Sequence, residues 1–145
     1  MLGLSAARVG ELAGVTYRQV DHWVRQGYVV PSVQAAVGRG ARRLFGPADV
    51  VRVAALGRFG RARLDIGLLG PLVAALEPIT APQRLVVAHL DPLWLEPVEA
   101  SELRDRLARS GPCVVFDPAP VLQRLHPLGT TAHCGEQPIG LREVS

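Results

Sequence analysis

Lysine and asparagine are absent from this chain of 145 residues, isoleucine occurs three times and cysteine twice. The three scarce or missing residues with A/T-rich codons indicate a GC-rich genome more than a function. Two cysteines exclude the disulfide framework of small secreted domains. No apolar run approaches the ~20 residues that a helix needs to cross a bilayer, and the first residues lack the basic leader and apolar core of a signal peptide. These absences predict a cytoplasmic protein without a membrane partner.

The positive charge lies in the first half of the chain. All 16 basic residues are arginine, and the formal net charge is +3. Residues 1–76 carry ten arginines against four acids, for +6, whereas residues 77–145 carry six arginines against nine acids, for −3. The sign changes near Pro78 and Pro82, which end a helical pattern. This division predicts a polyanion-binding module joined to a segment that does not bind polyanions.

Two short helices separated by a tight turn are predicted at the start of the chain. The first covers residues 5–13, and the second covers 16–26 with Thr16 as its N-cap. At about 100° per residue, Val20 and Trp23 of the second helix lie on one apolar arc. The opposite arc is polar and net basic, and its members are Tyr17, Arg18, Asp21, His22 and Arg25.

A basic β-hairpin is predicted next. Short apolar segments flank a Gly- and Arg-rich stretch over 38–43, which is typical of a hairpin with a basic end. Gly46 and Pro47 begin a third helix that is expected to end at Gly60, and a fourth helix is expected over 64–76. Helix, turn, presented helix and basic hairpin describe a winged helix-turn-helix, in which the second helix enters the major groove while the wing lies along the backbone.

The second half has the pattern of a small α+β domain with the order β-β-α-β-α. Residues 84–90 and 93–98 are rich in β-forming residues and join at a predicted Asp91-Pro92 turn. Residues 113–116 are apolar throughout, as expected for a strand that is covered on both faces.

Two helices complete this second half. One is expected over 101–109, with Ser101 as its N-cap and Leu103 and Leu107 facing inward. Asp117 is expected to cap the last helix. The predicted organisation is a DNA-binding domain over 5–76, a small α+β domain over 83–126 and a flexible tail over 127–145.

The stretch GELAGVTYRQVDHW at 10–23, the hairpin and the Arg43-Leu44-Phe45 before the third helix follow one another along the chain. Together they resemble the MerR family of bacterial regulators, in particular an actinobacterial-type branch with a small C-terminal α/β domain. The resemblance covers about residues 5–76. It implies a sequence-specific transcriptional regulator at the nucleoid that binds an inverted repeat of double-stranded DNA as a homodimer, with no cofactor.

The resemblance also implies which residues contact DNA, with the helix over 16–26 in the major groove and the wing over 38–43 on the backbone. Asp21 stands where the family often has a basic residue, which would weaken phosphate binding or accept a proton from a cytosine amino group. The predicted DNA-binding residues are Thr16, Tyr17, Arg18, Gln19, His22, Arg25, Arg39, Arg42 and Arg43. Further candidates for phosphate contacts are Arg58, Arg61 and Arg63.

Dimerisation departs from the family pattern. The family usually pairs through a long coiled coil, but no heptad run follows Leu76, and Pro71, Pro78 and Pro82 argue against one. The fourth helix or the second domain must then supply the interface. Whether a small molecule or a protein binds the second domain as an effector stays open.

Two other functions remain as alternatives. One is a DNA-bending accessory factor of the excisionase type, which shares the MerR-like head and needs no effector domain. The other is a protein-interaction module whose helix-turn-helix no longer binds DNA, for which Asp21 on the presented face is the best support.

The acidic and thiol-bearing residues of the second half do not predict an enzyme or a metal site. His89, Asp91, Glu96, Glu99 and Asp117 are the candidates for acid–base chemistry, but no nucleophile elbow, phosphate loop or metal motif accompanies them. The other candidate ligands match no zinc spacing; they are Cys113, His126, His133 and Cys134.

Overall fold

The computed structural model describes residues 3–34, 38 and 42–129. Within these ranges the elements confirm a helical first half followed by an α+β second half. They are α1 Ala6–Ala13, α2 Tyr17–Arg25, α3 Pro47–Arg61, α4 Ile66–Ala75, β1 Arg84–Leu90, β2 Leu93–Glu99, a 3-10 turn Ala100–Glu102, α5 Leu103–Ala108, β3 Cys113–Phe116 and α6 Ala119–Gly129.

Local signals set the ends of α1 and orient α2. The Ser5 hydroxyl accepts a hydrogen bond from the Arg8 N–H at 3.2 Å and begins α1. Gly14 ends α1 in the left-handed region, at a φ of 76° that favours glycine. Val20 and Trp23 of α2 are buried, as predicted. The opposite face of α2 is therefore turned away from the core.

Two antiparallel bridges hold the base of the wing. Gln34 pairs with Leu44 across the predicted hairpin, and Leu4 pairs with Phe45. The Leu4 N–H donates to the Phe45 carbonyl at 2.9 Å, and the Phe45 N–H donates to the Leu4 carbonyl at 2.8 Å. This third segment beside the hairpin has no signal in the sequence. Residues 35–37 and 39–41, which include Arg39 at the predicted tip, lie outside the described residues.

The third and fourth helices differ slightly from their predicted bounds. α3 continues one residue past Gly60 because the buried Phe59 packs its last turn against the core. Two residues past the end of α3, Arg63 has a φ of 67°, in the left-handed region. α4 begins later than residue 64 because the Asp65 carboxylate accepts a hydrogen bond from the Gly67 N–H at 2.8 Å and so caps the helix.

The second half folds as an antiparallel sheet of order β2-β1-β3, which confirms the predicted order of strands and helices. Three details of the prediction are wrong. Ser101 lies within the 3-10 turn and does not cap α5, and Leu107 is 38% exposed instead of facing inward. β3 is an edge strand with Cys113, Val114 and Val115 only half-buried, so it is not covered on both faces.

One hydrophobic core runs through both halves of the described chain. The cluster that contains Trp23 and Phe59 continues into Val86 of β1 and Val121 of α6. α6 packs against α1 and α3. The division into domains over 5–76 and 83–126 stays a prediction.

The last described helix extends beyond its predicted end. α6 reaches Gly129, so the first three residues of the predicted tail are helical, and 130–145 lie outside the described residues. No helix in the described ranges is long and apolar enough to cross a membrane.

Candidate nucleic-acid interface

The exposed face of α2 brings together most of the predicted DNA-binding residues. It consists of Tyr17, Arg18, Gln19, His22 and Arg25, all of which are exposed. Tyr17 leaves 56% of its surface uncovered although it is aromatic. Because Val20 and Trp23 fix the other side of the helix in the core, this face is presented on a rigid support.

A capping box fixes the start of α2. The Thr16 hydroxyl accepts a hydrogen bond from the Gln19 N–H at 3.1 Å, and the Gln19 side-chain oxygen accepts one from the Thr16 N–H at 2.9 Å. Both residues are in the predicted contact set, and both side chains also hold the helix end. The side-chain NH2 group of Gln19 is the part left to donate to a ligand.

Asp21 forms two ion pairs, one with Arg25 on α2 itself and one with Arg43 at the base of the wing. Its Oδ1 accepts from Arg43 Nη1 at 2.7 Å, and its Oδ2 lies 2.9 Å from Arg25 Nη2. The hydrogen bond from Arg43 is the main cause that lowers the pKa of Asp21, and the charge of Arg25 adds to it against partial desolvation. The Asp21 carboxylate is therefore shared by two arginines.

The wing arginines are placed unequally. Arg42 is exposed, whereas Arg43 keeps 30% of its side chain exposed and is held by Asp21. Arg39 lies outside the described residues. The i,i+4 spacing of Asp21 and Arg25 is a local signal for one ion pair. The pairing with Arg43, 22 positions away, has no such signal.

A groove of about 570 Å³ borders α2 on the side of α3 and α4. Arg18 and His22 line it together with Arg61, the last residue of α3. Arg61 Nη1 also donates to the Gly14 carbonyl in the turn between α1 and α2, over a long 3.5 Å. The exposed face of α2 is thus flanked by arginine on two sides, by the wing and by the end of α3.

A second polar cluster lies at one end of the sheet. His89 is buried, and its Nε2 is 2.8 Å from Glu96 Oε2. Arg106 Nη1 donates to the other Glu96 oxygen at 2.6 Å, and the His89 ring stacks on Trp94 with centroids 4.3 Å apart. Both oxygens of Glu96 are therefore engaged, one with His89 within the sheet and the other with Arg106, which holds α5 against the sheet.

The remaining candidates for acid–base chemistry have structural roles or line the same cleft. Glu99 pairs with Arg84 at 2.9 Å, and the Asp117 carboxylate caps α6 by accepting from the Ala119 N–H at 2.9 Å. Asp91 lines a cleft of about 260 Å³ beside His89. Among the described residues no three His, Cys, Asp or Glu side chains come together as a metal site. His133 and Cys134 lie outside the described residues.

Comparison with known protein families finds a match in the first half of the chain. Residues 4–64 match the model of the MerR HTH family regulatory protein. Relatives in Mycobacterium bovis and Mycobacterium tuberculosis, described as uncharacterized HTH-type transcriptional regulators, are 39% identical over 51 residues. This segment is 35% of the present chain and 23% of each relative, so the match spans less than a quarter of those proteins. Residues 4–64 are a helix-turn-helix domain of the MerR family.

Proposed function

We propose that this chain is a transcriptional regulator that binds double-stranded DNA sequence-specifically, with residues 16–26 in the major groove and the wing over 38–43 on the backbone. The observation that carries the proposal is the exposed polar face of α2, which a MerR-family domain anchors in the core through Val20 and Trp23. The major groove admits an α-helix, and arginine and glutamine pair with base edges there.

The charges around α2 support contact with phosphates. Arg42 of the wing and Arg61 of α3 are both exposed, and they flank α2 on different sides. Guanidinium groups bind phosphate oxygens in a two-point geometry. We assign Arg18, Gln19 and His22 to contacts in the major groove of DNA, and the flanking arginines to contacts with the DNA backbone on either side.

A homodimer is part of the proposal, because an inverted repeat has two half-sites about 34 Å apart, or a multiple of that distance. α4 carries no charged side chain over Ile66–Ala75, and Leu68 on it is 60% exposed. A helix that is apolar on all sides favours burial against another surface. We assign the contact with the second copy to this exposed side of α4.

Selection of binding sites from random duplex DNA, repeated at several salt concentrations, tests the proposal. With Z phosphate contacts, the logarithm of the binding constant falls with the logarithm of salt at a slope of about −0.9Z. Arg18→Ala is expected to cost about 1–3 kcal/mol on the selected site. Arg104→Ala is the matched control, since it removes an exposed arginine from α5 in the acidic half.

The outcomes separate the competing functions. Salt-dependent binding without an enriched motif would favour a DNA-architectural factor over a regulator. A flat salt response with no motif would overturn DNA binding and favour a protein-interaction module. The pairing of Asp21 with Arg25 and Arg43 weakens that last alternative, because the local cluster is net positive.

A further inference from the structure

The carboxylate of Asp21 occupies the junction between the two elements that are proposed to meet DNA. Its Oδ1 accepts a hydrogen bond from Arg43 at the base of the wing, and its Oδ2 forms an ion pair with Arg25, one turn along α2. The Asp21 side chain is 19% exposed and that of Arg43 is 30% exposed, so this pair is partly shielded from water, whereas Arg25 is 70% exposed. Partial shielding strengthens an ion pair relative to one on an open surface.

A carboxylate and a phosphate offer arginine the same kind of partner. Both present two oxygens to the planar guanidinium, and both take charge-assisted hydrogen bonds of this length. Asp21 therefore competes with DNA phosphates for Arg43 and Arg25. It also fixes the base of the wing relative to α2, because Arg43 lies in the segment that pairs with Gln34 and Leu4 through its neighbours.

We infer that Asp21 is a specificity-determining residue of the DNA-binding face. It reduces the contacts of Arg43 and Arg25 with the phosphates of random DNA, and it fixes the position of the wing relative to α2. On random DNA, phosphate contacts supply nearly all of the binding energy, so a carboxylate that cancels one charge of this arginine pair weakens binding. On the correct site, base contacts dock α2, and a wing already in place completes the complex. This inference rests on the proposed function.

The variant Asp21→Asn tests the inference in the full chain, with random duplex DNA and the selected site as probes. Asparagine keeps the size and one acceptor but removes the charge. If one arginine moves to a phosphate, the salt slope on random DNA steepens by about 0.9, and affinity at 0.15 M salt rises about fivefold. Affinity for the selected site rises less, so the ratio of specific to random binding falls.

Glu11→Gln is the matched control. It removes the same charge from an exposed pair, in which Glu11 Oε2 lies 3.0 Å from Arg8 Nη1 on α1. A general electrostatic effect of charge raises both affinities by one factor and leaves their ratio unchanged. The inference is overturned if Asp21→Asn also leaves the ratio unchanged, even though its affinities rise.

A second background separates the action of Asp21 on Arg43 from any other effect of Asp21→Asn. If Asp21 acts through Arg43, Asp21→Asn has little further effect on the ratio in an Arg43→Gln background. A fall in the ratio as large as in the native background would contradict the inference. The two proposals can fail separately. If the native protein shows no salt-dependent DNA binding, both are overturned. If the native protein prefers the selected site and Asp21→Asn leaves the ratio of specific to random binding unchanged, only this inference is overturned.

Discussion

Arg124 on α6 donates two hydrogen bonds to the carbonyl oxygen of Leu12, through Nε at 3.1 Å and Nη2 at 2.9 Å. Leu12 lies in the last turn of α1, where carbonyl groups have no partner within the helix. A cation at this end also favours the helix dipole. A residue of the second half thus supplies the hydrogen-bond donors that the last turn of α1 lacks, from 112 positions further along the chain.

Arg124→Ala is expected to lower the free energy of unfolding by about 1 kcal/mol, because the carbonyl of Leu12 loses a charged donor at a partly exposed site. Urea unfolding measures this loss, provided that the unfolding free energy of both proteins depends on urea concentration with the same slope. Arg104→Ala, on the exposed side of α5, is expected to stay within about 0.5 kcal/mol of the native chain. Equal losses in the two variants would contradict a tether between α6 and α1.

The pKa of Asp21 is expected to lie below its ordinary 3.8 in the folded chain, since Arg43 donates to the carboxylate. A lowered folded pKa stabilises the fold above the unfolded value, and that stabilisation is lost as the pH falls through the folded value. The pairs with Arg25 and Arg43 should therefore remain intact from neutral pH down to about 5.

Carbon-detected NMR titration of the Asp21 carboxyl measures this midpoint directly. Arg43→Gln removes the hydrogen bond that contributes most to the lowered pKa of Asp21, so the pKa should return toward 3.8. Arg25→Gln should move it less, because Arg25 acts through charge alone. A native midpoint at or above 3.8 would show that the carboxylate is not held by Arg43 in solution.

Features set by neighbouring residues were predictable from the sequence. The N-cap at Thr16, the buried Trp23 and the stop at Gly14 follow from local chemistry and helical period, and the structure has all three. Gly60 is a disfavoured residue within a helix, yet α3 includes it because packing of Phe59 outweighs the local cost.

Contacts between distant residues were not predictable in the same way. The bridge between Leu4 and Phe45 and the pairing of Asp21 with Arg43 join residues that carry no local signal for each other. The candidate site therefore emerged from the sequence as a set of exposed side chains on α2. How those side chains connect to the wing required the three-dimensional arrangement.

Glu96→Gln is expected to destabilise the second half by about 1–3 kcal/mol. The side chain is 12% exposed and accepts from Arg106, with His89 on its other oxygen. The amide has no charge to pair with Arg106, and its NH2 group can only donate to His89 Nε2, which must then be the unprotonated nitrogen of the ring. Chemical unfolding of the full chain measures the loss.

Glu102→Gln is the matched control for Glu96→Gln, because it alters the same arginine. Glu102 is 60% exposed, and its carboxylate lies 3.9 Å from Arg106 Nη2. A surface pair of this kind contributes at most about 0.5 kcal/mol within a helix. Losses of similar size at both positions would mean that the pairs at Glu96 are no stronger than those on the surface.

Gly10 and Gly60 provide a paired test of the turn that orients α2. A Cβ at position 10 would lie 2.8 Å from the backbone oxygen of Val15, in the turn between α1 and α2. Gly10→Ala must push that turn away, which is expected to lower the free energy of unfolding by about 1–3 kcal/mol and to reduce DNA affinity as α2 moves.

At position 60 the nearest atom to an added Cβ is 3.7 Å away, on Ile66. Gly60→Ala should therefore stabilise α3 by about 0.5–1 kcal/mol through its helix propensity. Urea unfolding should show that Gly10→Ala lowers the free energy of unfolding and that Gly60→Ala raises it. A change in the same direction for both variants would mean that the Val15 carbonyl does not restrict the side chain at position 10.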